Sequence, residues 1–174
     1  MLEVIPESVS ALIDQPQYRE RCEIEVESGY IFSACAAAMN GNPLFWDKDT
    51  ANNLTAGPIA PPTMLSTWFR PHYWRPGAED ERLALQAHFD LKNFLQLPEA
   101  VIASNELILG APVRVGDRLS CWQVVRSISG VKTTRLGRGR FWVVEVVFEN
   151  QGGEYVGSDS YNAFAYVRGT ESEA

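Results

Sequence analysis

The C-terminal part of the chain carries two long strand-forming runs, Phe141 to Glu149 and Tyr155 to Val167, separated only by Asn150-Gln151-Gly152-Gly153. Both runs are rich in β-branched and aromatic residues, and the polar, glycine-containing break predicts an antiparallel hairpin. More strands precede it. Leu119 to Ile128 follows an Arg114-Val115-Gly116-Asp117 turn, Leu107 to Leu109 leads into Pro112, and Leu83, Leu85, Ala87 and Phe89 alternate as a half-buried strand would, after a loop through Pro71 to Glu81. A sheet of this extent must bury one face, so the helices upstream become its expected cover.

Those helices lie in the first 70 residues. Residues 1–20 read as a polar leading arm with a short helix around Ser8 to Asp14, and Cys22 to Glu27 alternates Ile24 and Val26 with glutamates as a strand. Tyr30 to Met39 carries Ala34, Ala36, Ala37 and Ala38, good helix formers that permit close packing. Asn40 to Ala56 is an Asn-rich connection. Gly57 to Pro62 stiffens the backbone, and Thr63 to Phe69 is read as the central, mostly buried helix, with prolines suited to its first turn. The expected class is α+β, with an arm at 1–20, one domain over 21–168 and an acidic tail at 169–174.

Bulk properties narrow the function. At 45% hydrophobic and 21% charged, the 174 residues suit one globular domain, and no run approaches the roughly 20 apolar residues of a membrane span. Met1 to Gln15 has acids and no basic n-region, so a cytoplasmic protein is expected, without a membrane partner. Cys22, Cys35 and Cys121 form no metal or disulfide spacing, and no metal is expected. A net charge of -7 argues against nucleic acid as a partner. One basic loop, Lys132, Arg135, Arg138 and Arg140, reads either as a solvated hairpin tip or as a contact for the phosphates of a coenzyme A or phosphopantetheine arm.

Three segments in order carry a resemblance: Asn42-Pro43-Leu44, then Ala56-Gly57-Pro58-Ile59-Ala60-Pro61-Pro62-Thr63, then Pro112-Val113-Arg114-Val115-Gly116-Asp117-Arg118-Leu119. Over residues 20–168 the chain resembles the MaoC-like (R)-specific enoyl-thioester hydratases and dehydratases, in particular the branch with a FAS1-like N-terminal dehydratase domain. The resemblance implies a hot-dog fold, a long helix wrapped by an antiparallel sheet, working as a dimer with acyl-thioester sites at the interface. It also implies no cofactor beyond the coenzyme A or phosphopantetheine that the substrate carries.

Two departures from that family bear on chemistry. Its hydration motif is Asp-x-Asn-Pro-x-His, and this chain keeps Asn42 and Pro43 but has Asn40 for the Asp and Phe45 for the His. Hydration needs groups that take and deliver protons, and neither an amide nor a phenyl ring titrates in that range. Where active relatives place a His-Gly pair whose glycine N–H is thought to polarise the thioester, this chain has Pro61-Pro62. Prolines have no N–H, which leaves Thr63 or Met64 as the donors an oxyanion would need.

The degenerate catalytic positions are therefore Asn40 and Phe45. The candidate substrate contacts are Asn42, Pro43, Phe45, Trp46, Thr63, Met64, Trp68, Arg135 and Arg138. Phe45, Trp46, Trp68, Phe69, Tyr73 and Trp74 suit either a core or an acyl-binding wall. His72 and His88 lie away from the motif, Asp47 and Asp49 read as turn formers, Asn40 as a turn residue or an amide contact, and Cys35 as a small buried residue.

The resemblance then implies a non-catalytic subunit of a heteromeric (R)-type enoyl-CoA or enoyl-ACP hydratase, in a heterodimer or heterotetramer whose MaoC-like partner supplies the Asp and His. Such a division is known among mycolic-acid-type dehydratases and hydratases of steroid side-chain CoA esters. The alternatives are a homo-oligomeric acyl-thioester binding protein, or a hot-dog thioesterase using Asp47, Asp49 or Glu106.

Overall fold

The computed structural model describes residues 4–22, 24–69, 76–77 and 83–169. Six antiparallel strands form one sheet in the order β1-β3-β5-β6-β2, with β4 paired to β5. They are β1 (Pro16–Arg21), β2 (Glu99–Leu109), β3 (Ser120–Ile128), β4 (Lys132–Thr134), β5 (Gly137–Glu149) and β6 (Tyr155–Val167). The helices are α1 (Glu7–Ser10), α2 (Ser28–Ala37), α3 (Lys48–Thr55) and α4 (Gln86–Phe94), with 3-10 segments at Pro43–Phe45 and Pro62–Phe69. This is the expected α+β hot-dog arrangement. Among the described residues no helix is long and apolar enough to cross a membrane.

The long hairpin is where the sequence puts it. Its turn is held by Asn150, whose Oδ1 accepts the N–H groups of Gly152 (2.9 Å) and Glu154 (3.1 Å), while Gly153 takes the left-handed conformation, φ +78°. Alternation along β5 sends Trp142, Val144, Val146 and Phe148 to the helix-covered face, all buried. Two apolar clusters share that face. Val26, Ile31, Met64, Leu65, Trp68 and Phe148 pack at one end of the strands. Val9, Leu91, Leu97, Val125, Trp142 and Val144 pack at the other.

Several local expectations change. Thr63 to Phe69 was expected as the central helix, but Pro62–Phe69 is a 3-10 segment that buries Met64, Leu65 and Trp68. Leu83 to Phe89 is not a strand. Its residues from Gln86 onward open α4, which buries Ala87, His88 and Leu91. The period-2 alternation there rested on four apolar positions, while Ala87, His88, Leu91 and Leu95 follow helical spacing, and the Gln123 side chain receives the Ala87 N–H at 3.0 Å. Strand pairing near the start falls on Pro16–Arg21 rather than on Cys22 to Glu27. The leading segment is thus part of the sheet and core, since β1 pairs with β3 and Val9 of α1 is buried. Arg140 does not belong to the basic loop: it is buried in β5 and donates to the Ser129 carbonyl at 2.6 Å.

The two edges of the sheet differ. β1 is six residues long, starts at a proline, carries Arg19, Glu20 and Arg21, and slips register between Gln17 and Glu20 where Tyr18 has φ +53°. Those are devices that discourage further pairing. β2 runs eleven residues and exposes Val101, Ile102, Ile108 and Leu109. Among the described residues it is an edge open to another strand.

Candidate acyl-binding site

The site begins where α2 ends. Met39 turns left-handed, φ +51°, and the Asn40 N–H reaches back to the Cys35 carbonyl at 2.8 Å, a closed helix C-terminus. From there each polar side chain of the motif holds backbone. Asn40 Oδ1 accepts the Asn42 N–H (3.1 Å), and Asn42 Oδ1 accepts the Leu44 N–H (3.0 Å), with Pro43 in the first turn of its 3-10 segment. Trp46 donates its indole N–H to the Asn40 carbonyl at 2.7 Å. Asp47 caps α3 by accepting the Thr50 N–H at 2.6 Å, and hydrogen bonds from the Thr50 side chain and then its backbone hold the Asp47 carboxyl below the usual range. Asn40, Asn42 and Asp47 are spent on shape.

The apolar side chains of the same loop build a pocket. Phe45 is half-buried against the first core cluster, and the Trp46 ring stacks on Phe32 of α2, centroids 5.3 Å apart and 7° from parallel. With Ile31, Ile59 and Val115 they line a half-open pocket of about 140 Å³, with Asp47 and Lys48 at its polar side. Sites for larger ligands run to roughly 300–1,000 Å³, so this volume holds a small group rather than a whole large ligand. Phe32 was missed in the sequence because α2 is apolar on every side, and nothing in its pattern marks the face that meets Trp46.

The third motif segment braces the pocket floor. Asp117 is buried, with Oδ2 accepting the Arg114 N–H (2.7 Å) and Oδ1 accepting from the Gln151 amide (3.0 Å). Gly116, φ +96°, lets its N–H reach the Val26 carbonyl at 2.8 Å. The Arg114 guanidinium donates to the Thr55 carbonyl (2.7 Å) at the end of α3, and Ile59 bridges to Arg114. These bonds tie α3 and the Pro58-Ile59 wall to the sheet. The Arg-Val-Gly-Asp turn was legible in the sequence, but its clamp on Thr55 joins residues 59 positions apart.

The remaining candidates scatter. Thr63 is exposed. Met64 is buried, and its N–H is already given to the Pro61 carbonyl at 2.9 Å. Trp68 is buried in the cluster that also holds Ile31. Arg138 sits in β5 opposite Thr133 and Val167, and Arg135 in the short turn beside it. Ten residues of strand separate Arg138 from Phe148 at the pocket end, on the order of 30 Å, so one chain does not bring this hairpin to its own pocket. His88 is buried on α4, where Nδ1 accepts the Trp142 indole N–H at 3.1 Å, and burial pushes the Cys35 thiol upward. His72, Tyr73 and Trp74 lie outside the described residues. Among the described residues no three His, Cys, Asp or Glu side chains converge as a metal would need.

Comparisons with known proteins agree on family and fold. The family described as FAS1-like, dehydratase domain region matches residues 17–158. Among curated proteins none matches the sequence significantly. The chain is similar in structure to one in the ChsH1-ChsH2 complex from Mycobacterium tuberculosis, with a TM-score of 0.77 and 20% identity, covering 95% of this chain and 93% of that one. It is also similar to one in the HadBC (3R-hydroxyacyl-ACP dehydratase) complex from the same organism, TM-score 0.58 and 16% identity over 87% and 97% of the two chains. For the (R)-hydratase from A. caviae involved in PHA biosynthesis the values are 0.53 and 16%, over 86% and 95%.

Proposed function

The chain belongs to the FAS1-like dehydratase-domain family, and from that premise we propose that it is the non-catalytic, acyl-accommodating subunit of a heteromeric (R)-type enoyl-CoA or enoyl-ACP hydratase. The observation that carries this reading is the motif loop itself. Its capping hydrogen bonds are complete, yet the family's acid and base positions hold Asn40 and Phe45. The loop keeps its shape, and a general base must come from another chain.

Three further features support it. The open β2 edge suits pairing with a second hot-dog chain. The small pocket calls for a partner's surface to enclose a complete acyl group, and its aromatic wall suits a bulky, steroid-side-chain-like or long chain. Two of the similar structures, ChsH1-ChsH2 and HadBC, are complexes. The basic Arg135 and Arg138 hairpin, remote from its own pocket, suits the phosphates of the carrier at a site that the partner shares.

The test is purification with the native partner, identification of that partner, and a hydration assay with crotonyl-CoA and longer enoyl-CoA esters. The reading expects a hot-dog chain with an intact Asp-x-Asn-Pro-x-His motif, and loss of hydration when its Asp or His is replaced. A second reading, a homo-oligomeric acyl-thioester binding protein, draws on the same β2 edge filled by a second copy. It expects acyl-CoA binding in calorimetry with no rate enhancement by any assembly. A thioesterase is disfavoured, because Asp47 is committed to its helix cap and Glu106 lies exposed on β2.

A further inference from the structure

Among the described residues, one buried side-chain nitrogen or oxygen has no hydrogen-bond partner: the indole nitrogen of Trp68. The residue is 4% exposed. An indole N–H is a donor only, and leaving such a group buried and unpaired forfeits a bond to water with nothing in return. Buried polar groups are otherwise satisfied nearly without exception, so an orphan marks a place where an acceptor arrives.

Its surroundings indicate which acceptor. Trp68 lies near the end of the 3-10 segment Pro62–Phe69, which at eight residues is long for a geometry that rarely exceeds about four and often marks strain or a hinge. The segment opens with Pro61-Pro62, the pair that lacks amide protons. The rings of Tyr30 on α2 and Trp68 pack T-shaped, centroids 5.9 Å apart at 73°, and the neighbouring Ile31 lies both in Trp68's cluster and in the pocket lining. The Met64 N–H is already committed to Pro61. Of the side chains this segment buries, Met64, Leu65 and Trp68, the one that carries an unspent donor is Trp68.

We propose that the Trp68 indole N–H is the hydrogen-bond donor with which this chain holds the carbonyl oxygen of an acyl thioester, the acceptor that every acyl thioester carries where its apolar chain begins. The assignment rests on the acyl-binding reading of the site and makes Trp68 a binding residue, with no proton transferred.

The test compares decanoyl-CoA with its S-decyl thioether analogue, which keeps the chain and the coenzyme but lacks the carbonyl oxygen. Calorimetry on the wild-type protein is expected to favour the thioester by about tenfold. In Trp68→Phe that preference disappears, while the thioether binds as it does to a wild-type protein with a slightly larger cavity. A thioester preference that survives in Trp68→Phe overturns the assignment alone, whereas failure of the wild type to bind either compound removes the acyl-binding reading with it. A second readout needs no substitution. The Trp68 indole proton resonance moves downfield with decanoyl-CoA and not with the thioether; a resonance unmoved by both, as when the N–H already points at the Tyr30 ring, overturns the proposal.

Discussion

The indole N–H of Trp46 donates to the backbone carbonyl of Asn40 at 2.7 Å, joining the two ends of the segment in which relatives keep their acid and base. The bond closes a loop that Asn40 and Asn42 already brace from inside, and it sets the Trp46 ring parallel to Phe32. A segment whose chemistry had been lost without further use would have little reason to stay so completely tied.

Removing that tie gives the first prediction. Trp46→Phe keeps the stack on Phe32 and deletes the donor, so it should cost about 1 kcal/mol, read from the urea midpoint. Acyl-CoA affinity should fall as well, because the aromatic wall loses its fixed position. Unchanged stability and affinity together would show that the tie is incidental.

Asp117 is the second. Replacing it by Ala leaves the Arg114 N–H and the Gln151 amide without their acceptor at a largely buried site, a loss of about 3 kcal/mol. Because the same turn holds Arg114 against Thr55, hydrogen exchange should also accelerate in α3.

How much of this was legible in the sequence depends on how far apart the partners lie. The β5 strand and its turn were readable because their signals are local: a run rich in valine and aromatic residues, then Asn and Gly at a tight bend. Phe45 and Trp46 could be marked as either core or pocket wall because the loop holding them is short, and in the fold both line the pocket. α4 was misread for the opposite reason, since its four alternating apolar residues overlap a helical pattern whose buried face is set by Gln123 and Trp142, far along the chain. The 3-10 form of Pro62–Phe69 and the exposure of Thr63 likewise follow from packing against the sheet rather than from local preference.

His88 supplies a pH dependence. Burial, with the Lys92 ammonium nearby, pushes its imidazole below the ordinary 6.5, and Nδ1 must stay unprotonated to accept from Trp142. Below that value the unfolded chain binds a proton that the folded chain resists, so this residue's contribution falls as pH drops. The urea midpoint should decline between neutral pH and about pH 5. His88→Gln, which keeps an acceptor for Trp142, should flatten the decline; an unaltered slope would assign it to other groups.

Gly139 tests the hairpin. A Cβ there would lie 1.9 Å from the Ala165 carbonyl oxygen on β6, backbone that cannot give way. Gly139→Ala should cost about 3 kcal/mol or more and should lower the melting temperature more than Gly29→Ala, where a Cβ meets nothing within 4 Å.

The central claim is that this chain keeps the shape of a hydration site without its acid and base. The most direct measurement is the steady-state rate of enoyl-CoA hydration by the chain purified alone. No turnover above the uncatalysed rate is expected. Turnover near the usual enzymatic range, roughly 1 s⁻¹ or faster, would contradict it.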